Sequence, residues 1–406
     1  MQDIYVIILK MRYDKLNPHR FYDANKHKFI ILLDEEFYHR FPDQHKDTFD
    51  ELIKLENFDE TSIATIIQRY ASYNSRLKLI CWDEELLLLC ARIRKRFDLP
   101  GPYEDKLIPF RDKKIMKSIL FRNGIKVPQF IDDDFDNMSI GDCVNTISSL
   151  GFPLIVKPKD GSGGIGAKKV RNKAELQGVV EGNQPNLADY NFEEYIEGRF
   201  LHCDSIVCQG KILFVEVCEY MGNAIDFMHG NNLGSRLLAN SELKDRIRCF
   251  NESVLKALSP PDGMTHMELF LTNNDNLVFI EIAARPPGGE ILPMYEYALG
   301  LDIAAYLFML ELGLSSQKIT PEKLMSAAWI YVPKKAGLIK QFILPRLASQ
   351  KFDINWKVQT FERIGASISC YDRAATIMLI DQDDHILEQD FRTLQEHQFI
   401  EYHEEI

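Results

Sequence analysis

Residues 153–170 read PLIVKPKDGSGGIGAKKV, and this stretch decides the fold. An apolar strand delivers Lys157. A loop then gathers Gly161, Ser162, Gly163, Gly164 and Gly166 before a second strand, AKKV. Glycines let backbone N–H groups approach an anion closely, and a serine hydroxyl adds a donor. Such a nest suits a polyphosphate, with the strand lysine as a fixed point charge. No Gly-Lys-Ser/Thr closes the loop into a helix, so it is not a Walker P-loop. Taken alone, the loop reads equally well as a hairpin turn.

Two further stretches lie downstream. NFEEYIEG, residues 191–198, reads as a strand with Glu193 and Tyr195 on one face and Glu194 and Ile196 on the other. Its extended, acidic edge is suited to reading an adenine, although a solvated edge strand has the same pattern. THMELF, 265–270, and VFIEIAARPPGG, 278–289, then place Glu268 and Glu281 on two apolar strands joined by a short turn. Unpaired carboxylates buried there would be costly, and two near one another need a shared cation or raised pKa values. Hard oxygen ligands next to phosphates describe Mg²⁺, with Mn²⁺ as a substitute. Arg285 follows at the start of a rigid Pro-Pro-Gly-Gly turn, where a guanidinium can hold phosphate or carboxylate oxygens bidentately.

Bulk properties fit this reading. With 406 residues the chain can form more than one core. Hydrophobic residues make up 46% and charged residues 27%, an ordinary globular balance. A net charge of −12 opposes nonspecific nucleic-acid binding. No apolar run approaches the ~20 residues that span a bilayer. The opening MQDIYVIILKMRYDK reads as a first strand, being too quickly charged for a secretory signal. A cytoplasmic protein without a membrane partner is expected. The eight cysteines include no CxxC pair and are expected to be reduced.

Buried runs IYVIIL, FIILLD and RLKLICW alternate with helical patterns, which predicts a small, mostly parallel α/β domain over 1–100. A linker and first helical segment over 101–150, a small lid subdomain over 151–220, and a large subdomain with an α/β tail over 221–406 complete the expected division. The expected helices include 85–97, 111–123, 241–258 and 295–312.

The order Lys113, Lys157, glycine loop, Glu193-Glu194-Tyr195-Ile196, Glu268, Glu281 and Arg285 resembles the ATP-grasp superfamily. Within it, LPGPYEDKLIPFRDKKIMKSILFRNGIKVP (99–128), the 202–207 strand, GMTHMELF and EIAARPPGG most resemble L-amino acid ligases and related carboxylate–amine ligases. The resemblance implies an α/β (α+β) chain with an ATP-grasp fold behind the N-terminal domain. It implies ATP held by Lys113 and Lys157, with the glycine loop as a lid over the phosphates and residues 193–196 as the adenine hinge. It also implies magnesium on Glu268 and Glu281, and Arg285 as the group stabilising the acyl phosphate and tetrahedral intermediate. Ala283 stands where many members carry a metal-binding Asn, a departure shared by amino-acid-ligase-like members. Phe200 stands where an acidic residue often holds the ribose, so Glu197, His202 or Asp204 is the expected substitute. His266, Gly288 and Gly289 are candidates for substrate contact. Asp226 and His229 are candidates for an acceptor pocket.

The substrates implied are a small carboxylic acid, in its commonest form an amino acid, and an amine. A homodimer is one possible assembly. A carboxylase-like or other phosphorylating ATP-grasp enzyme, or a noncatalytic ATP-binding module, remains open on the sequence alone.

Overall fold

The structure, a computed structural model, describes residues 2–71, 76–133, 135, 138–159, 161, 166–183, 186–319 and 323–403. Four strands form a parallel sheet in the order Glu51–Lys54, His27–Leu33, Asp3–Ile8, Leu77–Cys81. The three long ones are the buried apolar runs anticipated, as expected where helices cover both faces. Alternation divides their side chains between two cores. Ile4, Val6, Ile30 and Leu32 meet the Glu60–Ala71 and Leu87–Arg96 helices. Tyr5, Ile7, Phe29 and Ile31 join a core shared with Tyr295 and Phe308 of the helices Ile291–Leu299 and Ile303–Glu311. The tip of this sheet is thereby fixed against the rest of the chain. Glu51–Lys54 was not anticipated, because this short edge strand is only partly buried.

A small antiparallel sheet follows, ordered Lys168–Val170, Leu154–Pro158, Tyr190–Glu194. The helices Ile140–Ser148 and Lys173–Asn183 back it through Val144, Ile147, Leu176 and Val180. The main body is an eight-stranded antiparallel sheet. Its first three strands, from one edge, are Leu277–Ala283, Gly263–Thr272 and Gly198–Cys208. Lys211–Met221, Leu233–Leu237, Ser326–Pro333, Arg373–Asp381 and Lys351–Trp356 continue it. The helix Glu242–Leu258 packs on it through Ile247, Val254 and Leu255.

Two expected elements are divided. The predicted helix over 295–312 is two helices broken at Gly300, whose positive φ of 63° ends the first. The predicted 191–196 strand stops at Glu194, so 195–197 form the connection between the small sheet and the large one. Among the described residues no helix is long and apolar enough to cross a membrane. All eight cysteines are free.

Candidate active site

The cleft between the two sheets is lined by groups that arrive from four directions. Glu268 and Glu281 are register partners on adjacent antiparallel strands, with a bulge immediately after Glu268. Like charges directly opposite each other destabilise a sheet pair, so this juxtaposition calls for cations. Two come from other elements. Lys113 opens the helix Lys113–Arg122, whose N-cap Asp112 accepts from the Lys114 and Ile115 amides. Lys157 lies on the central strand of the small sheet. Their amines stand 3.7 and 3.8 Å from Glu281 Oε2, close enough to neutralise it without a direct hydrogen bond. Burial raises the Glu281 pKa, but Lys113, Lys157, Lys117 and Arg285 together outweigh it and hold the carboxyl at about 2. Among the described residues, no hydrogen bond reaches the side-chain oxygens of Glu281, and His266 Nε2 lies 3.5 Å from Glu268 Oε1. Of the loop read as a phosphate nest, Gly161 accepts from Lys113 Nζ at 2.6 Å. Gly166 has a φ of 77°, where an added Cβ would meet Pro158 at 3.0 Å. Ser162, Gly163 and Gly164 lie outside the described residues.

Glu193 differs from its sequence reading. Its side chain is buried and turns toward cations: Lys157 Nζ lies 2.8 Å and Lys117 Nζ 2.9 Å from Oε1, and Asn191 also donates to it. Lys117 was missed in the sequence, although it lies one helical turn after Lys113 on the same face. Burial is the largest influence on Lys117 and brings its pKa down to about 8, against the pull of Glu193. Glu193 is therefore the counterion shared by the two lysines. Glu194 is tied to Gln129 by its amide (2.8 Å) and its carboxylate (3.2 Å). Lys169 sits 3.6 Å over the Tyr195 ring, while Ile196 lies in the connection between the sheets.

Arg285 is held by a residue that the sequence reading did not find. Its Nε donates to Glu84 Oε2 at 2.6 Å, and Glu84 Oε1 accepts from Arg111 at 2.6 Å. Glu84 follows the last strand of the N-terminal sheet, 201 positions away in the chain. Arg285 also donates to the Pro286 carbonyl at 2.8 Å, which pins it to its own turn. Gly289, with φ 63°, packs so tightly on Trp329 that an added Cβ would lie 2.7 Å from the ring.

Beneath the carboxylates lies a buried polar knot. Asp204 is fully buried and accepts from His202 (3.0 Å), His266 (2.5 Å) and Tyr295. His202 uses its other nitrogen on Ser235, 2.8 Å away. His202 and Asp204, two of the three expected ribose candidates with Glu197, have their side-chain polar atoms engaged within this knot. His266 contacts Tyr220 at 3.1 Å and stands 3.5 Å from Glu268 Oε1. Burial lowers its pKa, but Asp204 and Glu268 overcome this and push it up to about 9. It is a cation between two carboxylates and supports Glu268 from below. His202, Asp204 and His266 could in principle ligate a metal, yet their mutual hydrogen bonds already satisfy them. Asp226 and His229 are elsewhere: Asp226 lines a cavity of about 410 Å³ with Lys335, His397 and Tyr402, and His229 bonds the Ile225 carbonyl. No residue of the carboxylate cleft lines that cavity, which removes the basis for an acceptor pocket there.

The donor chemistry fits a magnesium nucleotide. Two opposed carboxylates offer hard oxygens, and Lys113 and Lys157 place positive charge beside one of them, Glu281.

Residues 110–289 match the family described as ATP-grasp domain. The L-arginine-specific L-amino acid ligase of Bacillus subtilis is 28% identical over 239 residues, 55% of each chain. D-alanine–D-alanine ligase A of Bacillus cereus is 30% identical over 207 residues, 49% of this chain and 66% of that one. The chain thus spans only about half to two thirds of the length of these curated relatives. The crystal structure of an L-amino acid ligase from Bacillus licheniformis superposes with a TM-score of 0.75 over 99% of both chains, at 17% identity, a likeness of fold. The glycine loop, the two carboxylates and the arginine turn all fall within the matched stretch, so residues 110–289 match an ATP-grasp domain and the chain is similar to amino acid ligases.

Proposed function

We propose that the chain is an ATP-dependent carboxylate–amine ligase that joins an amino acid to an amine through an acyl phosphate, releasing ADP and phosphate. The observation that carries this is the register pairing of Glu268 with Glu281 beneath Lys113 and Lys157. A carboxylate resists nucleophiles because of its charge. In this reading one of its oxygens attacks the γ-phosphorus and the bond to ADP breaks. The amine nitrogen then attacks the acyl carbon, phosphate leaves with the former carboxylate oxygen, and the amine gives up a proton. Phosphoryl transfer asks for positioning and charge neutralisation more than covalent help. Lys113 and Lys157 supply fixed positive charge for the phosphates. Mg²⁺ held by Glu268 and Glu281 would neutralise the phosphate oxygens. Arg285, oriented by Glu84, stabilises the oxyanion of the second step. Tyr195, Ile196 and Glu197, between the sheets, are the adenine hinge in this account. We place the domain division at the Asp98–Tyr103 connection and end the lid at Glu194, short of the expected 151–220, because Gly198–Cys208 and Lys211–Met221 belong to the eight-stranded sheet.

The test is a phosphate-release screen of amino-acid pairs, with mass spectrometry of the products. ADP and phosphate appearing only when acid and amine are both present is the expected result. AMP in place of ADP, or bicarbonate-dependent ADP formation without an amine, overturns the reading.

A further inference from the structure

Glu290 closes the Pro-Pro-Gly-Gly turn and is buried, at 5% exposure, in an unusually cationic setting. Arg12 and Lys15, which follow the first strand of the N-terminal sheet, approach its Oε2 at 3.7 Å each. Arg373, which opens a strand of the large sheet, approaches Oε1 at 3.4 Å, and Tyr331 donates to Oε1 at 3.1 Å. Three cations therefore share one buried carboxylate, and none makes a short ion pair with it. The only other described carboxylate on them is exposed Asp14, 3.2 Å from Arg12. Lys15 also bonds the Gly289 carbonyl at 2.6 Å, which ties the cluster to the turn carrying Arg285. A second observation points to a missing acceptor. Trp329 is 2% exposed, yet its indole N–H has no hydrogen-bond partner. The ring carbon bonded to that nitrogen lies 3.3 Å from where a Gly289 Cβ would stand. Burial is the largest influence on Lys15 and holds its pKa below the ordinary value, and Arg12 and Arg373 act in the same direction against Glu290. Three cations thus face one buried and one exposed carboxylate.

Among the described contacts, none of Arg12, Lys15, Tyr331 or Arg373 touches Lys113, Lys117, Lys157 or either cleft carboxylate. The cluster is joined to the site through the arginine turn, the part nearest the acyl centre in the ligase reading.

We infer that Arg12, Lys15 and Arg373 form a subsite for a substrate carboxylate other than the one phosphorylated, so that the chain selects substrates bearing a second negative charge. This rests on the ligase reading above. The carboxylate can come from the side chain of a dicarboxylic amino acid or from the amine partner, and substrate pairs distinguish the two. Phosphate release would be compared for L-glutamate against L-glutamine as the acid, each with L-alanine or L-alanine amide as the amine. A preference for glutamate that persists with the amide assigns the subsite to the acid. A preference for alanine over its amide assigns it to the amine. Either preference, in kcat/KM, should fall by roughly tenfold or more in Arg373→Ala and Lys15→Met. Arg12→Ala serves if those variants fold poorly, because Arg12 is 45% exposed. Equal turnover of charged and neutral pairs, or a preference unchanged in the variants, overturns the subsite and leaves the ligase intact. A binding readout separates failure of the ligase itself. If no pair is turned over, glutarate should still raise the melting temperature of the wild type more than butyrate does, and not that of Arg12→Ala; absence of that difference overturns the subsite.

Discussion

Asp204 and Glu281 are carboxylates of the same sheet, with the strand Gly263–Thr272 between them, and they are treated in opposite ways. Asp204 is sealed, with His202, His266 and Tyr295 bound to its oxygens. Glu281 is surrounded by charge that stops short: Lys113 and Lys157 remain 3.7 and 3.8 Å away, and 32% of its side chain is open. A buried charge that is fully hydrogen-bonded holds structure together, whereas one that is neutralised at a distance keeps its oxygens for a ligand. The same contrast recurs nearby. Glu193 binds two lysines directly, while Glu290 is shared loosely among three cations.

The contrast can be broken by mutation. Asp204→Asn strips the counterion from the His266 imidazolium and should cost about 3–5 kcal/mol in chemical denaturation; an unchanged unfolding midpoint would mean that the knot is not structural. Glu281→Gln should fold normally and lose roughly 10²–10³-fold in steady-state ATP turnover. Wild-type rates in that variant would move the site elsewhere. Glu84→Gln loosens Arg285 and should lower kcat about tenfold with little change in KM for ATP, since Glu84 acts through the arginine turn and not on the lysines. If KM for ATP moves instead, Arg285 serves the nucleotide.

The smallest effect is a pH dependence that sharpens the role of Glu193. Lys117, at about 8, has its folded pKa below the 10.5 of an unfolded lysine. Between those values the unfolded chain binds the extra proton, so stability rises with pH. Urea titrations from pH 8 to 10.5 should therefore show the wild type gaining relative to Lys117→Met; parallel curves would show that burial does not perturb this lysine.

Much of this was legible in the sequence. Buried runs such as FIILLD gave the parallel sheet, because sheet faces covered on both sides require continuous apolar strands. Glu268 and Glu281 were readable as a pair because a short turn fixes antiparallel register. Glu84 was not, since its partner Arg285 is 201 residues away and nothing local announces the contact. Lys117 was within reach, as its four-residue spacing from Lys113 puts both on one helix face. His202 misled for a physical reason: alternation gives the face of a strand but not whether that face is filled by Asp204 and Ser235 or left open. The 295–312 helix was read through Gly300 because the apolar pattern continues across the break.

The most direct test of the central claim, that the open carboxylate pair holds a magnesium nucleotide while the sealed one does not, is calorimetric titration with ATP and Mg²⁺. Wild type should bind, Glu281→Gln should bind at least tenfold more weakly, and chelating the metal should remove most of that difference. Equal affinity in wild type and Glu281→Gln, with and without magnesium, would contradict the account.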